Sequence, residues 1–214
     1  MLDGLMRRLI DPPLMRAGGA LARAGVSADS ITVTGLVLGL AAALAVVLEA
    51  DALALIGLAA SRICDGLDGA VARMTRRTDR GGFLDIVFDF VFYGAFPLAF
   101  ALRDPAQNAV PAALLLFAFY VNGASFLAFA VVAAKRGMET AVRGVKSIYF
   151  TAGLAEGTET ILAFALMVLA PQAFPMIAYA FAGLTLMSAI ARVSLAWAAF
   201  RDEPENEAGA SDSS

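Results

Sequence analysis

The chain contains no histidine. Ser-His-Asp triads, Cys-His pairs and His-ligated zinc or haem are therefore excluded. Its one cysteine, Cys64, permits no internal disulfide and no four-cysteine metal cluster. Charge is also scarce, at 16% of residues, where a soluble domain carries about 25%. The formal charge of −3 identifies no partner, and no nucleic-acid partner is expected. Chemistry is left to carboxylates, Arg, Lys, hydroxyls and a hard metal ion.

Apolar residues are abundant, at 60% of 214 residues. A single domain of this length cannot bury that much apolar surface, so the bilayer is the expected solvent. A span needs about 20 mostly apolar residues to cross about 30 Å of hydrocarbon. Six segments qualify, at 30–48, 52–73, 82–102, 111–134, 147–170 and 173–199. Each must be helical, because lipid satisfies no backbone N–H or C=O. The fold class expected is an all-α integral membrane protein with six transmembrane helices.

The basic residues set the expected orientation. Arg7, Arg8, Arg16 and Arg23 precede the first span, and Arg73, Arg76, Arg77 and Arg80 follow the second. Lys135, Arg136, Arg143 and Lys146 follow the fourth, and Arg192 and Arg201 mark the end of the sixth. The positive-inside rule puts both termini and these loops in the cytoplasm, in a membrane like the bacterial inner membrane.

Residues 1–29 read as a leader on the inner membrane face, 30–200 as the membrane domain and 201–214 as a disordered acidic tail. In the leader, Leu14, Ala17, Gly18 and Leu21 form an i, i+3, i+4, i+7 stripe. An amphipathic interfacial helix is expected there, with Asp11 as N-cap and Pro12 at its first turn.

Ionisable residues inside spans default to function, and here they cluster. Asp65, Asp68, Gly69 and Ala72 share one face of the second span. Gly82, Asp85, Asp89 and Tyr93 share one face of the third. The spans are antiparallel neighbours, so the acidic faces oppose each other. Four carboxylates in an apolar pocket repel strongly. Hard divalent cations such as Mg²⁺, Mn²⁺ or Ca²⁺ relieve this. Two ions about 3.5–4 Å apart would suit in-line phosphoryl displacement. Gly69, Ala72 and Gly82 would either leave room for substrate or allow close helix packing.

The run Asp65-x-x-Asp68-Gly69-x-x-Ala72-Arg73, then eight residues, then Gly82-x-x-x-Asp85-x-x-x-Asp89 resembles the signature of the CDP-alcohol phosphotransferases. Every fixed position is present. The six spans, the leader and the inward termini are also similar to that family. The resemblance implies that Asp65, Asp68, Asp85 and Asp89 ligate two Mg²⁺ or Mn²⁺ ions, with Asp89 also the proposed general base. A carboxylate bound to a dication is a weak base, so the alternative is that Asp89 mainly holds a metal that polarises the acceptor. It implies that Gly69 and Arg73 contact the CDP moiety, with Thr78 a further hydroxyl contact. Asp29, Ser30 and Ile31 resemble the family's start of the first span, near the nucleotide. Ala28 departs there from the usual proline. The implied activity is phosphatidyl transfer from CDP-diacylglycerol to a small alcohol such as glycerol phosphate, inositol or inositol phosphate, with release of CMP. A homodimer is also implied.

Other readings stay open. The same metals would serve an enzyme that joins a CDP-linked head group to diacylglycerol. A divalent-cation transporter would use the same carboxylates but needs a path to the outer side. An inactive member acting as an interaction protein would not need four intact Asp residues. Arg192, Lys135 and Arg143 either follow the positive-inside rule or bind the phosphate of the acceptor. Glu156 and Glu159 in the fifth span either pair with Arg62 or bind the acceptor. Asn122 and Ser125 suit bridging between helices, Tyr93 and Cys64 suit packing, and the Phe residues suit a lipid-facing role.

Overall fold

The computed structural model describes residues 3–136 and 157–200, with side chains from Ile10 onward. The described residues contain helices and connecting turns and no strand. The helices are α1 (Asp3–Arg23), α2 (Ala28–Val47), α3 (Asp51–Met74), α4 (Asp79–Arg103), α5 (Pro105–Lys135), α6 (Gly157–Leu169) and α7 (Phe174–Ala199). A short 3₁₀ turn at Pro171–Ala173 joins the last two. The start of the expected fifth span and the tail from residue 201 lie outside the described residues.

Four helical stretches are long and apolar enough to cross a membrane: Ala28–Val47, Asp79–Arg103, Pro105–Lys135 and Pro171–Ala199. The α3 helix has the length, at 24 residues, but carries Arg62, Asp65, Asp68 and Arg73. Its charges belong to the acidic face discussed below.

Local chemistry sets the helix ends. Gly25 lies at φ 79°, the left-handed region that favours glycine. There the amide of Val26 donates to Leu21 O and that of Gly25 to Ala22 O. The Ser27 hydroxyl then caps α2 by accepting from the Ser30 amide at 3.2 Å. The Thr78 hydroxyl caps α4 through Gly81 N–H, and the Asp104 carboxylate caps α5 through Gln107 N–H. Pro105 follows that cap at the start of the helix. The α5 helix therefore starts six residues before the expected 111, and Pro111 lies inside it.

The leader departs further from expectation. Its helix starts at Asp3, so Asp11 is no cap and Pro12 and Pro13 lie within the helix. Its packing face includes Leu14, Met15, Gly18, Gly19 and Ala22, whereas Ala17 is exposed. The reason is a neighbouring helix. A Cβ on Gly18 would meet Ala70 Cβ at 2.7 Å, and one on Gly66 would meet Leu14 Cδ1 at 2.6 Å. The packing of α1 on α3, rather than an even apolar stripe, chooses the buried side.

The α2–α3 contact is built from small residues. A Cβ on Gly57 would meet Ala42 Cβ at 2.9 Å, and one on Gly35 would meet half-buried Cys64 at 3.1 Å. Small residues let backbones approach where no hydrophobic effect separates helix from lipid. Ser61 uses that closeness, donating to Gly35 O at 2.7 Å.

The core also corrects the lipid-facing reading of phenylalanine. Phe92, Phe96 and Phe100 form a buried stripe along α4. Phe96 stacks on Phe164 of α6 at 4.8 Å, and Phe100 stacks on Phe174 at 4.4 Å. Such pairs contribute about 0.5–1.5 kcal/mol each beyond area burial. Tyr93 joins the same cluster through Phe92, Phe119 and Phe164. Other phenylalanines, including Phe83 and Phe117, do face outward.

Ion pairs mark both ends of the α2–α3–α4 unit. Arg103 pairs with Asp51 at one end and Arg80 with Asp29 at the other. The antiparallel helices thereby hold the Asp faces of α3 and α4 in register.

Candidate metal and nucleotide site

Asp65 and Asp68 come from the C-terminal half of α3, and Asp85 and Asp89 from the N-terminal half of α4. One oxygen from each of Asp65, Asp85 and Asp89 lies within 4.8 Å of the others. Asp68 is the most buried of the four, at 6% exposure. Its Oδ2 is buried without a hydrogen-bond partner. All four line a narrow cleft with Thr32, Gly35, Ser61 and Arg62. The donors are hard oxygens from different helices, the set that suits Mg²⁺ or Mn²⁺. An orphaned carboxylate oxygen beside three clustered ones also fits a bound dication, since buried polar atoms otherwise find partners.

Arg62, one turn before Asp65, reaches into this cluster. Its Nη1 lies 3.1 Å from Asp89 Oδ1 and 3.6 Å from Asp65 Oδ1. Pairing of Arg62 with the glutamates of the fifth span is one of two open readings of those glutamates; the structure puts Arg62 on the site carboxylates. Glu159 lies in the first turn of α6, and Glu156 lies outside the described residues.

Above the acids, toward the α3–α4 turn, a wider cleft of about 380 Å³ opens. That is within the size range of small-molecule sites, about 300–1,000 Å³. It is lined by Asp29, Gly69, Ala72, Arg73, Thr78 and Gly82, and it meets the acids at Asp68 and Asp85. A Cβ on Gly82 would meet nothing within 4 Å, and one on Gly69 only Arg73 Nη1 at 3.5 Å. Both glycines therefore border open space instead of packing against a helix. Thr78 accepts from Gly81 N–H, which leaves its own hydroxyl hydrogen to donate.

Ser30 and Ile31 lie off this cleft. The Ser30 hydroxyl donates to Ser27 O, and Ile31 is buried in the core. Thr32 takes their place, lining both the narrow and the wide cleft. Its position was legible: three residues after Asp29, it shares that residue's face. Arg76 and Arg77 also line the wide cleft. In the sequence they read as markers of membrane side and as part of a basic loop able to neutralise some of the acids.

The acceptor candidates are divided. Arg192 on α7 donates through Nη1 to Asn122 Oδ1 at 2.8 Å, Asn122 O at 3.1 Å and Ser125 Oγ at 3.0 Å, all on α5. Asn122 and Ser125 thus bridge helices. Lys135 is exposed in the last turn of α5. Arg143 lies outside the described residues.

A family model for the CDP-alcohol phosphatidyltransferases matches residues 26–200. This chain belongs to that family. The matched stretch spans the described helices from α2 to α7 and both clefts. The phosphatidyltransferase chain is similar to the inner membrane protein YnjF of Escherichia coli (strain K12), 42% identical over 90% of this chain and 94% of that protein. It is also similar to the archaetidylinositol phosphate synthase of Pyrococcus horikoshii, 38% identical over 39% of this chain and 45% of that enzyme. Family membership makes the chain a transferase of substituted phosphate groups. Four apolar helices and an inner-membrane relative make it a multi-pass membrane protein.

Proposed function

We propose that this phosphatidyltransferase moves the phosphatidyl group of CDP-diacylglycerol to a hydroxyl of a small polar alcohol, releasing CMP. One observation carries the reading: clustered carboxylates of Asp65, Asp85 and Asp89 join, through Asp68 and Asp85, a cleft lined by Arg73 and Thr78. Acids for metal and donors for phosphate meet at one boundary.

In this reading Asp65, Asp68, Asp85 and Asp89 would hold two Mg²⁺ or Mn²⁺ ions, whose charge would offset that of the phosphates and of the departing CMP. Gly69 and Gly82 admit the nucleotide by lacking side chains. Arg73 and the Thr78 hydroxyl donate to the CDP phosphates, with Asp29 at the rim. The acceptor oxygen attacks the lipid-linked phosphorus, and the bond from that phosphorus to CMP breaks. Asp89 takes the hydroxyl proton.

The six-span plan belongs to this proposal: α3 and the segment ending in α6 join the four apolar helices, α1 lies at the interface, and both termini and the site face the cytoplasm. Residues 1–29, 30–200 and 201–214 serve as leader, catalytic domain and tail, and the enzyme works as a homodimer. The acceptor is a phosphorylated polyol. The activity named for the P. horikoshii relative supports that class, and Arg192, Lys135 and Arg143 are the candidates to bind its phosphate. Transport of the cations is disfavoured, because Phe92, Phe96 and Phe100 fill the described interior along α4 beyond Asp89.

The test is purification in lipid and incubation with CDP-diacylglycerol, Mn²⁺ or Mg²⁺, and a panel of alcohols and their phosphates. CMP release and product mass are read. CMP with a phosphorylated polyol supports the reading; no CMP with any acceptor overturns it.

A further inference from the structure

Arg62 is not part of the spaced Asp–Gly–Arg signature, yet among the described residues it is the cation paired with the acids. Its side chain is only 17% exposed. Nη1 lies 3.1 Å from Asp89 Oδ1 on α4 and 3.6 Å from Asp65 Oδ1 on α3. Nη2 donates to Ser61 Oγ at 3.3 Å. The guanidinium carbon lies 4.0 Å from the centre of the Phe92 ring.

That seat is built from three helices. Ser61 passes its own hydrogen to Gly35 O on α2, so its oxygen is turned to accept from Arg62. Phe92 is buried three residues after Asp89, so one turn of α4 supplies both a carboxylate and a ring to the same guanidinium. Gly39 of α2 leaves room beneath. A Cβ there would meet Phe92 Cδ2 at 2.6 Å and Ser61 Oγ at 2.9 Å. A planar, forked cation suits such a seat, because it can stack on a ring while its edge donates to carboxylates. A lysine ammonium has no such fork.

We propose that Arg62 is a positioning residue that shares Asp65 and Asp89 with the divalent ions, aligning Asp89 for the acceptor and weakening the hold of the carboxylates on metal. The inference rests on the metal-dependent transfer reading. The physical case is charge balance. Two carboxylates from different helices repel unless a cation lies between them. Arg62 supplies one fixed positive charge at the end of the cluster away from Gly82 and Thr78. That charge keeps Asp65 and Asp89 together, and it opposes a dication bound to the same oxygens. Loss of the charge should therefore tighten metal binding while slowing turnover. A merely structural residue would weaken both together.

The experiment uses the full chain in detergent–lipid micelles. Mn²⁺ binding is titrated by electron paramagnetic resonance without nucleotide, and CMP release is measured separately. Arg62→Gln should lower the Mn²⁺ Kd by about tenfold, equivalent to about 1.4 kcal/mol. Its kcat should fall by about a hundredfold, the scale of a misplaced reacting group. The KM for CDP-diacylglycerol should stay within about threefold, because Arg62 does not line the wide cleft. Arg62→Lys keeps the charge without the fork, so its Mn²⁺ Kd should match wild type within about threefold while kcat still falls.

An Arg62→Gln protein that binds Mn²⁺ no more tightly than wild type overturns the proposal. Wild-type turnover in Arg62→Lys also overturns it, and that measurement stands if Arg62→Gln does not fold. Should the wild-type chain bind Mn²⁺ but release no CMP with any acceptor, the transfer reading fails by itself. The Mn²⁺ comparison would still test the effect of Arg62 on metal affinity.

Discussion

Gly39 of α2 lies directly against the ring of Phe92 of α4, where an added Cβ would stand 2.6 Å from Cδ2. The missing side chain lets Phe92 sit beneath the acidic cluster and lets Ser61 reach Gly35. Gly39→Leu should force Phe92 and Ser61 aside. Overpacking of this kind costs about 1–3 kcal/mol. A lower Tm in detergent and reduced CMP release are expected. An unchanged Tm would show that α2 can move away without cost and that the seat is not tightly packed.

The acidic cluster should depend on metal. Treatment with EDTA should abolish CMP release, and added Mn²⁺ or Mg²⁺ should restore it. Asp65→Asn and Asp85→Asn should each cost at least about a hundredfold in turnover, as removal of a metal ligand exceeds the 10–100-fold typical of an outer-shell partner. Each variant should elute from size exclusion like wild type. Activity that survives both chelation and substitution would defeat the metal assignment.

Thr32 and Ser30 make a sharp comparison in the nucleotide cleft. Both hydroxyls donate to a backbone carbonyl, Thr32 to Ala28 O and Ser30 to Ser27 O, but Thr32 lines both clefts and Ser30 neither. Thr32→Val should raise the KM for CDP-diacylglycerol by about three- to tenfold, the scale of one lost hydrogen bond. Ser30→Ala should leave that KM unchanged. Equal effects of the two would mean that the cleft does not hold the nucleotide as proposed.

Arg76 and Arg77 should add long-range attraction for a phosphorylated substrate. Charge reversal to Glu at either position should raise the same KM more in low salt than in high salt, since exposed charges are screened within about 8–10 Å at physiological ionic strength. Kinetics at two salt concentrations would check this. A salt-independent effect would point to contact instead of attraction.

Arg192 is tied to Asn122 and Ser125. If it also binds an acceptor phosphate, Arg192→Ala should raise the acceptor KM, and Asn122→Ala should do so more weakly, because it removes one of several contacts that hold the guanidinium. The KM for CDP-diacylglycerol should not follow. A fall in Tm with unchanged acceptor KM would reduce Arg192 to a clasp between α5 and α7.

Much of this arrangement was legible along the chain. Apolar runs separated by charges located the helices to within a few residues at α2, α3 and α7. The spacing of Asp65, Asp68, Asp85 and Asp89 located the acidic faces, because helical periodicity turns spacing into direction. Helix ends were less legible. The start of α5 depends on the Asp104 cap, and the two prolines of α1 read as a boundary that the folded helix ignores. A sequence pattern also does not separate a phenylalanine facing lipid from one facing another helix, since both neighbours are apolar.

Arg62 shows where the sequence alone stops. Its presence in a span marked it as costly, and burial among apolar helices required a partner. Acids lay within reach on more than one helix, so the partner stayed open. The amino-acid order determined the membrane-embedded helical class and the carboxylates available for hard-metal chemistry. It determined too that histidine and disulfide chemistry were excluded. Only the tertiary structure decided that Arg62 meets Asp89 and that Gly39 makes room for Phe92. Composition and spacing act along one chain; these contacts depend on how closely three helices approach.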